Sequence, residues 1–129
     1  QKYPHGLSDE RFTRLFPLGV PVVFNFHGYT AALKQLLWER PENERFEING
    51  YREEGSTTTP FDMHVRNRTS RYHIAIQAAE RVARRRPQSA ARAEELVRRC
   101  ERRLAEHRPY IEANGVDPAD IADWAWIPR

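Results

Sequence analysis

A chain of 129 residues is long enough for one domain of ordinary size, and its 30% charged residues leave no apolar run near the ~18 that a membrane-spanning helix needs, so no membrane partner is expected. The single cysteine, Cys100, excludes an internal disulfide and a cysteine-rich metal site, and fits a reducing compartment. The net charge of +3 is unevenly spread: residues 80–108 hold ten Arg and five Glu, and the rest of the chain is net −2. No stretch has the order of a signal peptide. The chain begins with Gln1, which reads as a processed end or as the cut end of a longer protein.

Gln1 to Gly6 reads as an arriving linker. Ser8 is a good N-cap, and Asp9 and Glu10 sit well near the positive end of a helix dipole, so a helix is expected with Phe12, Leu15 and Phe16 as its apolar face. Pro17 to Pro21 ends it. Val22 to Phe26 is an apolar run broken only by Asn25, rich in β-branched and aromatic residues, and predicts an interior strand. A sharp His27-Gly28-Tyr29 turn follows. Ala32, Leu33, Leu36 and Leu37 then recur at helical spacing, in a helix that stops near Arg40 because Pro41 restricts the residue before it. Together these make the first half of a βαβ unit.

Phe46 to Tyr51 alternates apolar and polar residues, as a half-buried strand does. Arg52 to Pro60 is a hydroxyl-rich loop, and Phe61 to Arg66 fits either a short helix or an extended piece. Thr69 or Ser70 caps a helix to about Arg86, with Tyr72, Ile74, Ile76, Ala79 and Val82 on its face. Ser89 caps a second long helix to about Ala113, with Leu96, Val97, Leu104 and Ile111 as a thin stripe. Pro109 predicts a kink or break in it, and Asn114-Gly115 a stop. Asp117-Pro118 begins a last turn before Trp124 and Trp126.

Several groups invite a chemical reading. His27, at the carboxyl end of a strand where ligands collect in open α/β sheets, could be a general acid or base, or a histidine hydrogen-bonded in a turn. Glu53 and Glu54 are adjacent carboxylates, but neighbours on a strand point to opposite faces, which favours solvation or capping over paired action. Gly55-Ser56-Thr57-Thr58-Thr59 could cradle an anion through N–H groups and hydroxyls, or satisfy its own backbone; it lacks the Gly-Lys-Ser/Thr ending of a P-loop. His64 and His73 near Asp62 fit no accepted metal spacing. The Arg-rich segment could touch phosphates, yet its interleaved Glu residues read as a salt-bridged solvent face, so no nucleic acid partner is expected. Cys100 has no neighbour that would mark it as a nucleophile.

The string Gly50-Tyr51-Arg52-Glu53-Glu54-Gly55-Ser56-Thr57-Thr58-Thr59-Pro60-Phe61-Asp62-Met63 closely resembles the C-terminal domain of the phosphoketolases, whose pattern is Gly-Tyr-Lys-Glu-Glu-Gly, a Thr run and Pro-Phe-Asp-Met. His5-Gly6-Leu7-Ser8-Asp9, Phe26-His27-Gly28-Tyr29, Asn67, Arg71, Val82 and the Trp124-Ala125-Trp126 ending agree in order and spacing. The likeness is close over residues 3–84 and looser beyond. Thr30-Ala31 stands in place of Pro-Trp and Glu44 in place of His, and Arg52 and Ser56 are milder departures.

The resemblance implies an α/β fold like the transketolase C-terminal domain, a mixed sheet flanked by helices, with a first strand–helix–strand lying upstream of Gln1. Residues 1–129 would be the C-terminal portion of a longer polypeptide, as one domain or part of one. Phosphoketolases cleave xylulose 5-phosphate or fructose 6-phosphate with phosphate to acetyl phosphate and an aldose phosphate, using thiamine diphosphate and Mg²⁺. Those cofactors would be bound by upstream domains in a cytoplasmic homo-oligomer, because no Gly-Asp-Gly followed by a distant Asn pair is present here. No catalytic, cofactor or metal residue is therefore carried onto this chain. His27, Gly28, Tyr29, Ser56, Thr57 and Thr58 remain as an interdomain or anion contact. The other reading is an independent interaction module whose basic helix binds an acidic partner.

Overall fold

The computed structural model describes residues 2–52 and 55–122. Glu53 and Glu54, and the Trp124 and Trp126 ending, lie outside the described residues. The chain divides into two compact units, Gln1–Tyr51 and Arg52–Arg129.

The first unit holds α1 (Asp9–Leu15), β1 (Val22–Tyr29), α2 (Thr30–Leu37) and β2 (Phe46–Tyr51). The two strands pair in parallel and α2 connects them, which gives the α/β arrangement that the change of period after Gly28 implies. Parallel strands need such a crossover because a tight turn can join only antiparallel neighbours. Ser8 caps α1 as expected, its hydroxyl accepting the Arg11 N–H. The core of this unit is Phe12, Leu37 and Phe46, with Phe16, Val22, Phe24 and Ile48 packed on it. Phe16 stands edge-on to Phe46, with ring centroids 5.5 Å apart. Burying an aromatic of this size contributes about 2 kcal/mol.

Four expectations are corrected here. Leu15 is 63% exposed, so α1 buries only Phe12 deeply. On α2, Leu37 is buried but Leu36 is 69% exposed and Ala32 also faces solvent. The helix ends at Leu37, not near Arg40, because its last turn tightens: the Arg40 N–H bonds the Leu37 carbonyl and the Asn43 amide takes the Trp38 carbonyl. Finally, His27-Gly28-Tyr29 is not a turn. It continues β1, and α2 begins directly at Thr30.

The register explains this extension. Asn25 sits opposite Asn49 and Tyr29 opposite Tyr51, so β1 takes four steps where β2 takes two. The extra residues form an irregularity opposite Gly50. A Cβ on Gly50 would lie 2.4 Å from the Gly28 carbonyl oxygen, an approach that only glycine permits. The strand is also not fully buried as an interior strand would be: Asn25, His27 and Tyr29 are exposed, and among the described residues β1 pairs with β2 alone.

The second unit holds α3 (Pro60–Arg66), α4 (Arg71–Arg85), α5 (Ala90–Asn114) and α6 (Ala119–Ala122). The ambiguous Phe61 to Arg66 stretch is therefore helical, started by Pro60 at a position that tolerates proline. Ser70, not Thr69, caps α4, its hydroxyl accepting the His73 N–H. Gly115 ends α5 in the left-handed region at φ 68°, its N–H bonding the Ile111 carbonyl.

The packing of α5 on α4 differs from the expected stripe. The buried residues of α5 are Ala93, Cys100 and His107, with Val97, Leu104 and Ile111 half-buried between them. These six positions follow a heptad spacing, which keeps one seam of a helix against a partner. Leu96, assigned to the stripe from sequence, is exposed, as is Val82 on α4, where Gln77 and Ala79 are the buried residues. Ser89 makes no side-chain cap and instead closes a 3₁₀ turn, Pro87–Ser89. Pro109 does not break α5, which continues to Asn114.

Candidate functional site

At the carboxyl end of the parallel pair, His27, Tyr29 and Tyr51 form an aromatic cluster. The Tyr51 hydroxyl lies 2.9 Å from His27 Nε2, and the ring of Tyr51 stands edge-on to both His27 and Tyr29. Two residues earlier, Asn49 Nδ2 donates to Asn25 Oδ1 over 3.2 Å. The period of two along a strand places Asn25, His27 and Tyr29 on one face, and the register puts Asn49 and Tyr51 beside them. The irregularity at Gly28 and Gly50 keeps that alignment through the extra residues. Asn49 has no exposed surface, whereas His27 and Tyr29 lie open. The cluster offers polar and aromatic contact, and among the described residues no carboxylate bonds the His27 ring.

Ser56, Thr57 and Thr58 belong to the second unit, and each group is placed within its own unit. Thr58 donates to Asp62 Oδ2 over 2.6 Å. Thr59 caps α3, accepting the Asp62 N–H while donating to Asp117 Oδ1. The second Asp117 oxygen takes the Phe61 N–H, so the carboxylate at the start of α3 comes from the chain itself. Thr57 is exposed and Ser56 half-buried.

Sequence reasoning missed the pair Asp62 and His107, which are 45 residues apart. Asp62 Oδ1 lies 3.2 Å from His107 Nε2, and the Asp62 carboxylate also receives Arg66 Nε at 2.6 Å. His107 is 3% exposed, its Nδ1 has no partner among the described residues, and its ring is edge-on to Phe61. Burial acts to raise the Asp62 carboxyl, but the hydrogen bonds from Arg66 and Thr58 and the nearby positive charge outweigh it. The net effect holds Asp62 below its ordinary value. The heptad spacing of Ala93, Cys100 and His107 was the signal that could have marked His107 as inward-facing.

His64 and His73, separated in the chain, have separate partners. His64 Nδ1 is 2.9 Å from the Thr69 hydroxyl, and His73 Nδ1 is 2.8 Å from that of Ser70. Burial, aided by Arg68, lowers the His73 imidazole below its usual range. Burial raises the Cys100 thiol above its ordinary range, the opposite of the shift that activates a cysteine nucleophile. Among the described residues no three of His, Cys, Asp and Glu come together as a metal-ligand group. None of the described helices is long and apolar enough to cross a membrane.

The fold and its residues thus define an α/β domain with a polar aromatic cluster at its strand ends and a buried Asp–His pair among its helices. Residues 1–126 match the family model of the XFP C-terminal domain. Probable phosphoketolase 2 of Rhizobium meliloti (strain 1021) is 41% identical over 98% of this chain, and Probable phosphoketolase of Brucella abortus (strain 2308) is 40% identical over 99%. Probable phosphoketolase of Pseudomonas putida (strain F1) is 42% identical over 98%. The chain spans about 16% of the length of the first two relatives and 15% of the third. It belongs to the phosphoketolase C-terminal-domain family.

Proposed function

We propose that this chain acts as the C-terminal part of a phosphoketolase, a carbon–carbon lyase that cleaves xylulose 5-phosphate, fructose 6-phosphate or both with phosphate, giving acetyl phosphate and an aldose phosphate. The observation that carries the reading is the match over residues 1–126 to relatives named phosphoketolase, of which the chain is only about one sixth. Its own residues do not fit thiamine diphosphate and a divalent cation: they include neither a metal-ligand group among the described residues nor a Gly-Asp-Gly segment. Those groups are assigned to the remainder of a cytoplasmic, homo-oligomeric enzyme. The role of this domain is then structural or regulatory, with His27, Gly28 and Tyr29 as a contact to a neighbouring domain. The exposure of His27 and Tyr29 at the end of β1 supports that assignment.

The test compares the full-length polypeptide with residues 1–129 alone. Each is given thiamine diphosphate, Mg²⁺, phosphate and either sugar phosphate, and acetyl phosphate is measured. The full-length protein should form it and residues 1–129 should not. A silent full-length protein would overturn the enzymatic reading, and acetyl phosphate from the isolated chain would overturn the placement of the active site.

A further inference from the structure

The Arg-rich helix is not one uniform solvated face. Most of its cations follow the salt-bridged pattern that the interleaved Glu residues imply. Arg98 pairs with Glu94 and Glu95, and Arg108 with Glu112. Arg103 pairs with Glu106 and with Asp120 on α6. Arg92 and Arg99 are different, having no hydrogen-bond or ion-pair partner among the described residues, and of the two Arg99 lines the cleft between α4 and α5. Arg102 reaches only Glu95, at 4.0 Å, and that carboxylate already accepts from Arg98 at 3.0 Å. Arg71 on α4 has no carboxylate partner among the described residues: its guanidinium meets the Tyr72 hydroxyl and the Asp120 carbonyl, and lies over the rings of Phe61 and Tyr72.

Arg71, Arg99 and Arg102 line one cleft of about 660 Å³ between α4 and α5, within the size range of small-molecule sites. Tyr72, Ala75, Leu96 and Cys100 supply an apolar and aromatic surface within it, and Glu106 is its one carboxylate among the described residues. Arg99, Arg102 and Arg103 are three and four residues apart, so like charges share one helix face and repel. A fold that gathers Arg71, Arg99 and Arg102 around a concavity, with Arg102 only weakly paired to Glu95 at 4.0 Å, leaves a demand for negative charge. The planar donor fork of arginine suits phosphate oxygens two at a time.

We propose that the cleft between α4 and α5 binds a phosphate-bearing small molecule with at least two negative charges, its phosphates held by Arg71, Arg99 and Arg102 and its body resting on Tyr72 and Leu96. The observations favour a small molecule over an acidic peptide, because Arg71, Arg99 and Arg102 meet at one cleft that also offers the Tyr72 ring, while Arg98 and Arg108 outside it are ion-paired. This inference stands apart from the phosphoketolase reading, since it needs only the cleft and its charges.

The test titrates the full-length protein by calorimetry with inorganic pyrophosphate, with ATP and with a poly-glutamate peptide. The full-length protein can bind phosphates elsewhere, so the informative component is the one removed by changing the cleft. The Arg99→Ala/Arg102→Ala double variant should lose one binding component for pyrophosphate or ATP, or weaken it at least tenfold. Arg108→Ala should leave it intact. The component should also weaken as salt is raised. Phosphate binding that is identical in wild type and the double variant would overturn the proposal. So would binding of poly-glutamate alone. Arg99 and Arg102 are exposed, and unchanged far-ultraviolet circular dichroism would show that the variant is folded.

Discussion

Asp62 Oδ1 and His107 Nε2 stand 3.2 Å apart and join α3 to α5, with both side chains buried. Asp62 also accepts from Thr58 and Arg66, so one carboxylate ties the hydroxyl loop, its own helix and the long helix together. Removing one member of such a set strands the others without partners. Asp62→Ala should lower stability by roughly 2–4 kcal/mol in urea denaturation, and His107→Ala by a similar amount. A loss no larger than that of an ordinary surface change would show that the pair is not structural.

The same carboxylate gives a pH dependence with a definite sign. Asp62 is held below its ordinary value of 3.8, so the unfolded chain binds more protons in that window, and stability is present above 3.8 and lost as pH falls. His73 is held below its ordinary 6.5, and by the same sign its contribution is present above 6.5 and lost as pH falls below that value. Denaturation midpoints across pH should therefore decline first below about 6.5 and again in acid. His73→Gln should remove the upper step and leave the lower one; an unchanged upper step would assign it to another group.

Glycine matters at Gly50 for lack of space and at Gly19 for backbone angle. A Cβ at Gly50 would meet the Gly28 oxygen at 2.4 Å, whereas at Gly19, with φ of 68°, nothing lies within 4 Å. Gly50→Ala should cost about 1–3 kcal/mol and perturb the strand ends. Gly19→Ala should cost about 1 kcal/mol from backbone strain alone. Thermal unfolding of both variants checks the order, and equal costs would contradict the close approach.

Pro109 lies inside α5 on its exposed side and donates no helical hydrogen bond. Pro109→Ala restores a donor without emptying a core position. It should raise stability by about 1–3 kcal/mol. A variant no more stable than wild type would mean that the proline does structural work of its own.

Much of the local structure was legible from residue types. Ser8 and Ser70 cap helices because a short hydroxyl can accept a free N–H, and Gly115 ends α5 because only glycine adopts its φ without cost. The string from Gly50 to Met63 carried the family. The site was legible only in part. His27 could be singled out at a strand end, but not the Tyr51 hydroxyl beside it, because their meeting depends on register. Asp62 was visible as part of a string and His107 was not singled out at all; nothing in their spacing of 45 residues announces a contact.

The sequence by itself determined the α/β class, the order of the elements, most of their ends and the family, because periodicity, caps and motifs are local properties of neighbouring residues. Tertiary structure alone decided that His27-Gly28-Tyr29 extends a strand, that α5 buries Ala93, Cys100 and His107 in place of Leu96, and that Arg71 shares a cleft with Arg99 and Arg102. In each case the outcome depends on which face a second element covers. That is settled by packing between residues distant in the chain, where a larger apolar side chain can lose its place to a smaller one that fits the seam.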